Sequence, residues 1–171
     1  PPVRGRVIGE QTNAALYHKR TQLKFVPKQI YDSTIPLDVY TCWHTRDLPP
    51  LMQANFEKLI AENPELKFHL YNEDECRDFI RRYFKPDVLW AYDSLVPCSY
   101  KSDLWRYCVL FINGGIYMDI KFKCVNNFKL VSLAEREHFV RDLESSGGGT
   151  LTGLIVSKPY NNILFSCIRQ I

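Results

Sequence analysis

The stretch Gly-Gly-Ile-Tyr-Met-Asp-Ile-Lys-Phe-Lys, residues 114–123, decides how the chain folds. Its Gly-Gly corner ends a preceding helix, because glycine takes the left-handed C-terminal conformation without steric penalty. The β-branched and aromatic residues that follow predict a strand over Ile116–Val125. Because side chains alternate across a strand, every second residue from Ile116 to Phe122 is expected to face the core. The other face then carries four residues: Tyr117, Asp119, Lys121 and Lys123.

Strand and helix patterns alternate on both sides of this stretch. Short β-branched or aromatic runs predict further strands at 37–44, 66–71 and 151–157, and helical spacing predicts helices at 50–62, 72–83, 99–112 and 161–171. This alternation predicts an α/β fold with a central, mostly parallel mixed sheet flanked by helices. In such sheets ligands bind beyond the carboxyl ends of the strands. We expect residues 35–171 to form one domain and residues 1–34 an N-terminal arm or peripheral element.

The composition excludes several classes of protein. The 171 residues carry a net charge of +3 without a basic stripe, so nucleic acid is not an expected partner, whereas a phosphate-bearing small molecule is. The sequence contains no run of about 18 apolar residues, so we expect no transmembrane helix in it. The six cysteines are widely spaced, without metal-binding spacing, so we expect mostly buried free thiols and a reducing, cytoplasmic location.

A second polar motif, residues 102–107, lies one helix before the Tyr-x-Asp strand. Asp103 and Arg106 are three residues apart on this helix and should therefore lie close together. Taken alone, the pair is consistent with an ordinary exposed ion pair, and the polar strand face with a solvated sheet surface. Together, a carboxylate and two ammonium groups on one face could hold a sugar hydroxyl and a diphosphate.

The order Ser-Asp-x-x-Arg-Tyr, then Leu-x-x-x-Gly-Gly-Ile-Tyr-x-Asp, resembles a known sugar-binding region that contains an Asp-x-Asp motif. That region marks the family of yeast initiating α-1,6-mannosyltransferase, capsular polysaccharide synthesis proteins and clostridial glucosylating toxins. An Ile-Pro before a strand that ends in Trp, and the later Asn-Pro-Glu-Leu-Lys-Phe, are similar to the same family. The resemblance covers roughly Ile35 to Tyr160.

The resemblance implies a single-domain, GT-A-like nucleotide-sugar transferase fold. It implies transfer of a hexosyl group from a UDP- or GDP-linked sugar to a hydroxyl of a glycan or protein-glycan acceptor, with retention of anomeric configuration, in polysaccharide or glycoprotein glycan synthesis. It also implies donor-binding roles for eight residues: Trp43 stacked on the base with Cys42 beside it, Asp103 and Arg106 on the sugar hydroxyls, Tyr117 near the nucleotide, Gly114 and Gly115 shaping the turn, and Asp119 on ribose, sugar or metal.

This chain departs from the family pattern at the third position of Asp-x-Asp, which is Lys121. The missing carboxylate is the usual ligand of Mn²⁺ or Mg²⁺, and hard cations need oxygen ligands, so metal dependence is in doubt and Asp119 is the one candidate ligand of the motif. We expect Lys121 to replace part of the metal's charge, which makes Asp119 and Lys121 the candidate catalytic residues. The chain also ends at Ile171, before the acceptor-side residues that the resemblance implies, so we expect it to be truncated.

Other interpretations stay open from the sequence. Lys121 and the early end favour a catalytically silent nucleotide-sugar or glycan binding domain. A phosphohydrolase with an aspartyl nucleophile fits less well, because it would need a second carboxylate where Lys121 stands. Trp43 could also be a core aromatic residue. The Ser145–Gly149 stretch is expected to be either a mobile lid over the donor or a plain solvated loop.

Overall fold

The computed structural model describes residues 33–143 and 149–171. These residues form five strands: β1 (Asp38–Cys42), β2 (Lys67–Tyr71), β3 (Gly115–Met118), β4 (His138–Arg141) and β5 (Thr150–Ser157). They also form five α-helices: α1 (Pro50–Glu62), α2 (Glu73–Tyr83), α3 (Pro86–Ser94), α4 (Cys98–Asn113) and α5 (Asn162–Gln170). A 3₁₀ helix at Leu130–Glu135 precedes β4. None of the described helices is long and apolar enough to cross a membrane.

The strands form one mixed sheet in the order β2-β1-β3-β5-β4. β1 pairs in parallel with both β2 and β3. β5 is antiparallel to β3, and β4 is antiparallel to β5. The predicted α/β class and mixed sheet are confirmed, and the three parallel strands bring their carboxyl ends to one edge.

Neighbouring strand residues point to opposite faces of the sheet, and helices cover both of these faces. On one face, Tyr117 and Ile155 pack into a cluster with Trp105 of α4, and α2, α3 and α5 also contribute to it. On the other, Ile116 and Val156 pack with residues of α1 and the 3₁₀ helix. The core is therefore two layers with the sheet between them.

The predicted strand over Ile116–Val125 is wrong beyond Met118. Asp119 still extends the sheet by one backbone hydrogen bond, from its N–H to the Gly153 carbonyl at 2.9 Å. The Phe122 N–H then bonds back to the Asp119 carbonyl at 2.9 Å and closes a turn. Alternation therefore stops at Asp119, and Lys121 and Lys123 do not continue the face that carries Tyr117.

Other expectations meet different outcomes. Helix α3 was not predicted, although Pro86 in its first turn suits a helix start. Proline lacks an N–H, and an N–H in the first turn would have no partner within the helix. Only Cys76 and Cys108 are buried, and Cys98 is exposed, so the expectation of mostly buried thiols is wrong. The predicted N-terminal arm, apart from its last two residues, and the Ser145–Gly149 loop, apart from Gly149, lie outside the described residues.

Candidate active site

A cavity of about 310 Å³ lies where the three parallel strands end. Its wall includes Cys42 and Trp43 at the end of β1, Glu73 at the start of α2, and Ser102 in the second turn of α4. Asn72 fixes the start of α2: its side chain accepts from the Glu75 N–H at 2.9 Å, in a reciprocal capping box. The cavity therefore lies between two helix N-termini and the strand edge, where α/β proteins bind ligands.

Arg106 is the central charged group of this site, and only 6% of its side chain is exposed. Its Nη1 donates to Thr152 Oγ1 at 2.8 Å and its Nη2 to Ser102 Oγ at 3.1 Å. The guanidinium lies 4.6 Å from the ring centroid of Tyr117, close enough for a cation–π contact. Burial on this scale excludes the interpretation of Arg106 as half of an ordinary exposed ion pair.

Two carboxylates lie beside the guanidinium. Asp103 Oδ1 is 2.9 Å and Asp119 Oδ1 is 3.6 Å from Arg106 Nη2. Burial raises the pKa of Asp103, and the charge of Asp119 adds to that increase against the opposing effect of Arg106. The cavity wall includes Arg106 and Asp119 but not Asp103, so direct contact of Asp103 with a donor sugar stays a prediction.

Asp119 is held in place from two sides. The Tyr117 hydroxyl donates to Asp119 Oδ1 at 2.8 Å. Burial raises the pKa of Tyr117, so this hydroxyl keeps its proton and remains a donor. On the other side, a Cβ on Gly153 would lie 3.0 Å from Asp119 Oδ2 and 2.9 Å from the Phe122 ring. A side chain at position 153 would therefore crowd the carboxylate.

Trp43 and Lys121 both line the cavity and lie close to each other. The Trp43 N–H bonds to the Tyr71 carbonyl at 3.0 Å, and its indole lines the cavity. The indole Nε1 is buried and has no partner among the described residues. Lys121, exposed on the turn after β3, places its Nζ 5.7 Å from the centroid of the Trp43 ring. Lys123 contributes to a separate apolar groove and not to this cavity.

Gly114 and Gly115 form the corner between α4 and β3 and have φ angles of 65° and 104°. A Cβ on Gly115 would lie 2.6 Å from the Asp38 carbonyl oxygen, and one on Gly114 would lie 2.6 Å from Pro159 Cδ. These contacts show that the predicted close approach is made by neighbouring segments of the chain. Neither glycine lines the cavity, so both shape the turn from behind it.

Two groups of site residues carry no recognisable signal in the sequence. Thr152 and Gly153 of β5 contact Arg106 and Asp119, but nothing in an eight-residue strand marks them as site residues. Glu73 and Lys101 join the starts of α2 and α4 through an ion pair of 2.6 Å. The two residues are 28 positions apart in the chain, so no local sequence pattern indicates this contact.

The residues that could hold a metal do not fit a divalent cation by themselves. Asp119 is the one carboxylate of the motif, and one of its oxygens already accepts from Tyr117 beside the Arg106 guanidinium. Within residues 33–143 and 149–171, no three His, Cys, Asp or Glu side chains gather as a metal site would require. Lys121 adds a positive charge to the same wall. Mg²⁺ is usually held by one or two carboxylates together with substrate phosphates and waters, so Asp119 alone, with Lys121 beside it, is a weak donor set before a phosphate-bearing donor binds.

The fold and the site together define an α/β protein of the GT-A-like glycosyltransferase type, with a carboxylate and a guanidinium at the carboxyl ends of parallel strands. The family model described as glycosyltransferase sugar-binding region containing DXD motif matches residues 49–140, which is more than half of the chain. The chain belongs to this family. The motif in the family's description implies divalent-metal binding in general, and this chain carries Asp119-Ile120-Lys121 at that place.

Individual relatives agree with this assignment. The chain is 30% identical over 95 residues to an uncharacterized glycosyltransferase of Acanthamoeba polyphaga mimivirus, covering 54% of this chain and 38% of the relative. It is 29% identical over 129 residues to inositol phosphoceramide mannosyltransferase 3 of Schizosaccharomyces pombe, covering 75% and 35%. It is 34% identical over 61 residues to the initiation-specific alpha-1,6-mannosyltransferase of Candida albicans, covering 34% and 16%. The chain thus spans little more than a third of the first two relatives.

Proposed function

We propose that this domain forms the donor side of a glycosyltransferase that moves a hexosyl group from a nucleoside diphosphate sugar to an acceptor hydroxyl in glycan synthesis, with retention of anomeric configuration. The observation that carries the proposal is one cavity bordered by an indole, a buried guanidinium and a carboxylate, those of Trp43, Arg106 and Asp119. Several relatives are named mannosyltransferases, so mannose is the first donor sugar to test.

The polar groups of the site would be preorganised, because they already hold their positions before the donor binds. Asp119 accepts hydrogen bonds and Arg106 donates them, so the two together match the hydroxyls of a sugar. Trp43 offers an aromatic surface for the base, and Lys121 a charge for the diphosphate. As the sugar–phosphate bond breaks, negative charge grows on the leaving diphosphate, and a fixed ammonium group stabilises it without reorganisation. These roles follow from side-chain chemistry and position.

A thermal-shift panel tests donor binding most directly. The chain is mixed with UDP, GDP and their common hexose conjugates, with and without Mn²⁺, and with a phosphate control. Ligand at about 100 times its dissociation constant adds about 2.7 kcal/mol to the free energy of unfolding. The proposal predicts a shift for one of the two nucleotides. No shift with any nucleotide or conjugate, in a folded sample, contradicts it.

Turnover separates an enzyme from a silent binding domain. Release of free hexose, or transfer to an acceptor, supports the glycosyltransferase, whereas binding without either supports the catalytically silent alternative. Acceptor trials include inositol phosphoceramide as well as oligosaccharides, because a relative is named for that lipid. We also propose a reducing, cytoplasmic location, supported by the six cysteines, all of which are free thiols; microscopy of the tagged protein tests it.

A further inference from the structure

Three cysteines line the donor cavity: Cys42, Cys76 and Cys98. Cys42, a half-buried residue, ends β1 and lines the cavity. Cys76 is buried in α2 beside it, and Cys98 is exposed at the start of α4. The three thiols thus share one cavity but differ in their surroundings. The labelling rate of one of these thiols can therefore be compared with that of another in the same sample.

The polar groups around Cys42 stabilise a negative charge on its sulfur. Ser102 Oγ lies 3.2 Å from Cys42 Sγ and can donate to it, whereas the Tyr117 hydroxyl, 3.9 Å away, gives its proton to Asp119. The neighbouring Cys76 thiol has the largest lowering effect on the pKa of Cys42, and the Arg106 guanidinium lowers it further by attracting a thiolate. The donors and the positive charge that face Cys42 therefore come from α2 and α4.

The pKa of Cys42 follows from these contacts. The hydrogen bond from Cys76 lowers the pKa of Cys42 to about 7, against the opposing effect of burial. Burial and the charge of Cys42 raise the pKa of Cys76, which keeps its proton and remains the donor. Burial also raises the pKa of Cys108 in the core.

We propose that Cys42 is a modification site in the donor cleft: small electrophiles and peroxides that enter the cavity react with its sulfur, and the adduct excludes the nucleotide-sugar donor. With hydrogen peroxide, the thiolate sulfur bonds to one oxygen and the O–O bond breaks. Hydroxide leaves and takes up a proton as water, and the sulfur is oxidised by two electrons to sulfenic acid. With iodoacetamide, a sulfur–carbon bond forms and iodide leaves.

The second half of the proposal rests on the proposed function, because the donor is what an adduct would exclude. Cys42 lies next to Trp43, the expected stacking surface for the base, and both line the cavity of about 310 Å³. A carbamidomethyl group on the Cys42 sulfur would extend into that space. The reactivity of Cys42 can be measured without any nucleotide, so the two halves are separable.

The expected rate advantage follows from two opposing effects. At pH 7 a thiol with a pKa of about 7 is about half ionised, against about 3% for an unperturbed thiol, a gain of about 15-fold. A less basic thiolate is also less nucleophilic, which removes about fivefold of that gain if the dependence known for thiol exchange holds. Cys42 of the native chain should therefore react about threefold faster than Cys42 of the unfolded chain, whose thiol is unperturbed.

The experiment labels the reduced chain briefly with limiting iodoacetamide and quantifies each cysteine peptide by mass spectrometry. The rates are divided by those of the guanidinium-unfolded chain, and Cys98→Ser serves as the control that should leave Cys42 labelling unchanged. The rate at Cys42 should rise with pH and level off above about 7. Cys76→Ala should move this inflection to higher pH, whereas Cys76→Ser, which keeps a donor, should move it less.

Two results overturn the reactivity claim: native Cys42 labelled more slowly than Cys42 of the unfolded chain, or an inflection that Cys76→Ala does not move. The consequence is tested with the nucleotide that stabilises the unmodified chain. That nucleotide should slow Cys42 labelling at least tenfold at about 100 times its dissociation constant, and carbamidomethylated protein should lose the thermal shift. Protection of Cys98 alone, or an unchanged shift after labelling, overturns the claim of exclusion. Absence of any nucleotide shift on unmodified protein contradicts the proposed function instead.

Discussion

Replacing Asp119 by Asn should leave the fold intact and remove most of the turnover. The Tyr117 hydroxyl, which donates to Asp119 Oδ1 at 2.8 Å, can donate to an amide oxygen as well. Arg106 keeps the nearer carboxylate of Asp103 at 2.9 Å. Because 38% of the Asp119 side chain is exposed, water also stabilises the variant. We therefore expect the free energy of unfolding to fall by less than about 1 kcal/mol.

The effect of Asp119→Asn on catalysis should be larger. The loss of one charged contact to the donor costs about 2–3 kcal/mol of transition-state stabilisation. Since 1.36 kcal/mol is a factor of ten, kcat/KM should fall by about 30- to 160-fold. Donor hydrolysis or transfer is measured beside a urea titration. Asp78→Asn is the matched control, because Asp78 is an exposed carboxylate of α2 paired with Arg81. An Asp119→Asn variant that is folded and within about threefold of wild type would refute the assignment of Asp119 to the site.

Three further predictions address the rest of the cavity. Trp43→Ala should weaken donor binding by about 1–3 kcal/mol, by analogy with base stacking; a variant that melts early but binds with unchanged affinity would make Trp43 a core residue. Wild-type turnover should persist in EDTA while Lys121→Asp becomes Mn²⁺-dependent, because Lys121 supplies charge beside Asp119; loss of wild-type turnover in EDTA with full recovery in Mn²⁺ would contradict this. Gly153→Ala should lower turnover more than stability, because its methyl group would contact Asp119 Oδ2 at 3.0 Å and the Phe122 ring at 2.9 Å; donor turnover and Tm check it, and unchanged turnover would show that the carboxylate tolerates the shift.

Local patterns in the sequence predicted much of the fold because each depends on neighbouring residues. The Gly-Gly corner at 114–115 marks the end of α4, and Asn72 with Glu75 marks the start of α2. The end of β3 could not be predicted this way. The residues after Met118 have good strand propensity, but the pairing with β5 ends in the bond from Asp119 to Gly153, and the chain then turns. Tertiary pairing overrides propensity there.

The same distinction separates the parts of the site that the sequence indicated from those it did not. Asp103 and Arg106 are three apart on one helix, so their contact follows from helix geometry. The burial of Arg106 does not follow from it, because burial depends on Tyr117 beneath the guanidinium and on Thr152 from a strand 46 residues away. The face of Lys121 was predicted from strand alternation, which the turn after Asp119 breaks.

The buried Arg106 guanidinium makes the site inseparable from the fold. An unpaired buried charge costs several kcal/mol, so it is tolerated only where partners from other elements meet it. Here Ser102 comes from the same helix, Thr152 from β5 and Asp119 from the end of β3, and Tyr117 bonds to that carboxylate. Correct packing of α4 on the β3–β5 pair is thus the condition both for satisfying the charge and for aiming Asp119 into the cavity. The order Ser-Asp-x-x-Arg, then Tyr-x-Asp, encodes one interaction network split between a helix and the strand that follows it.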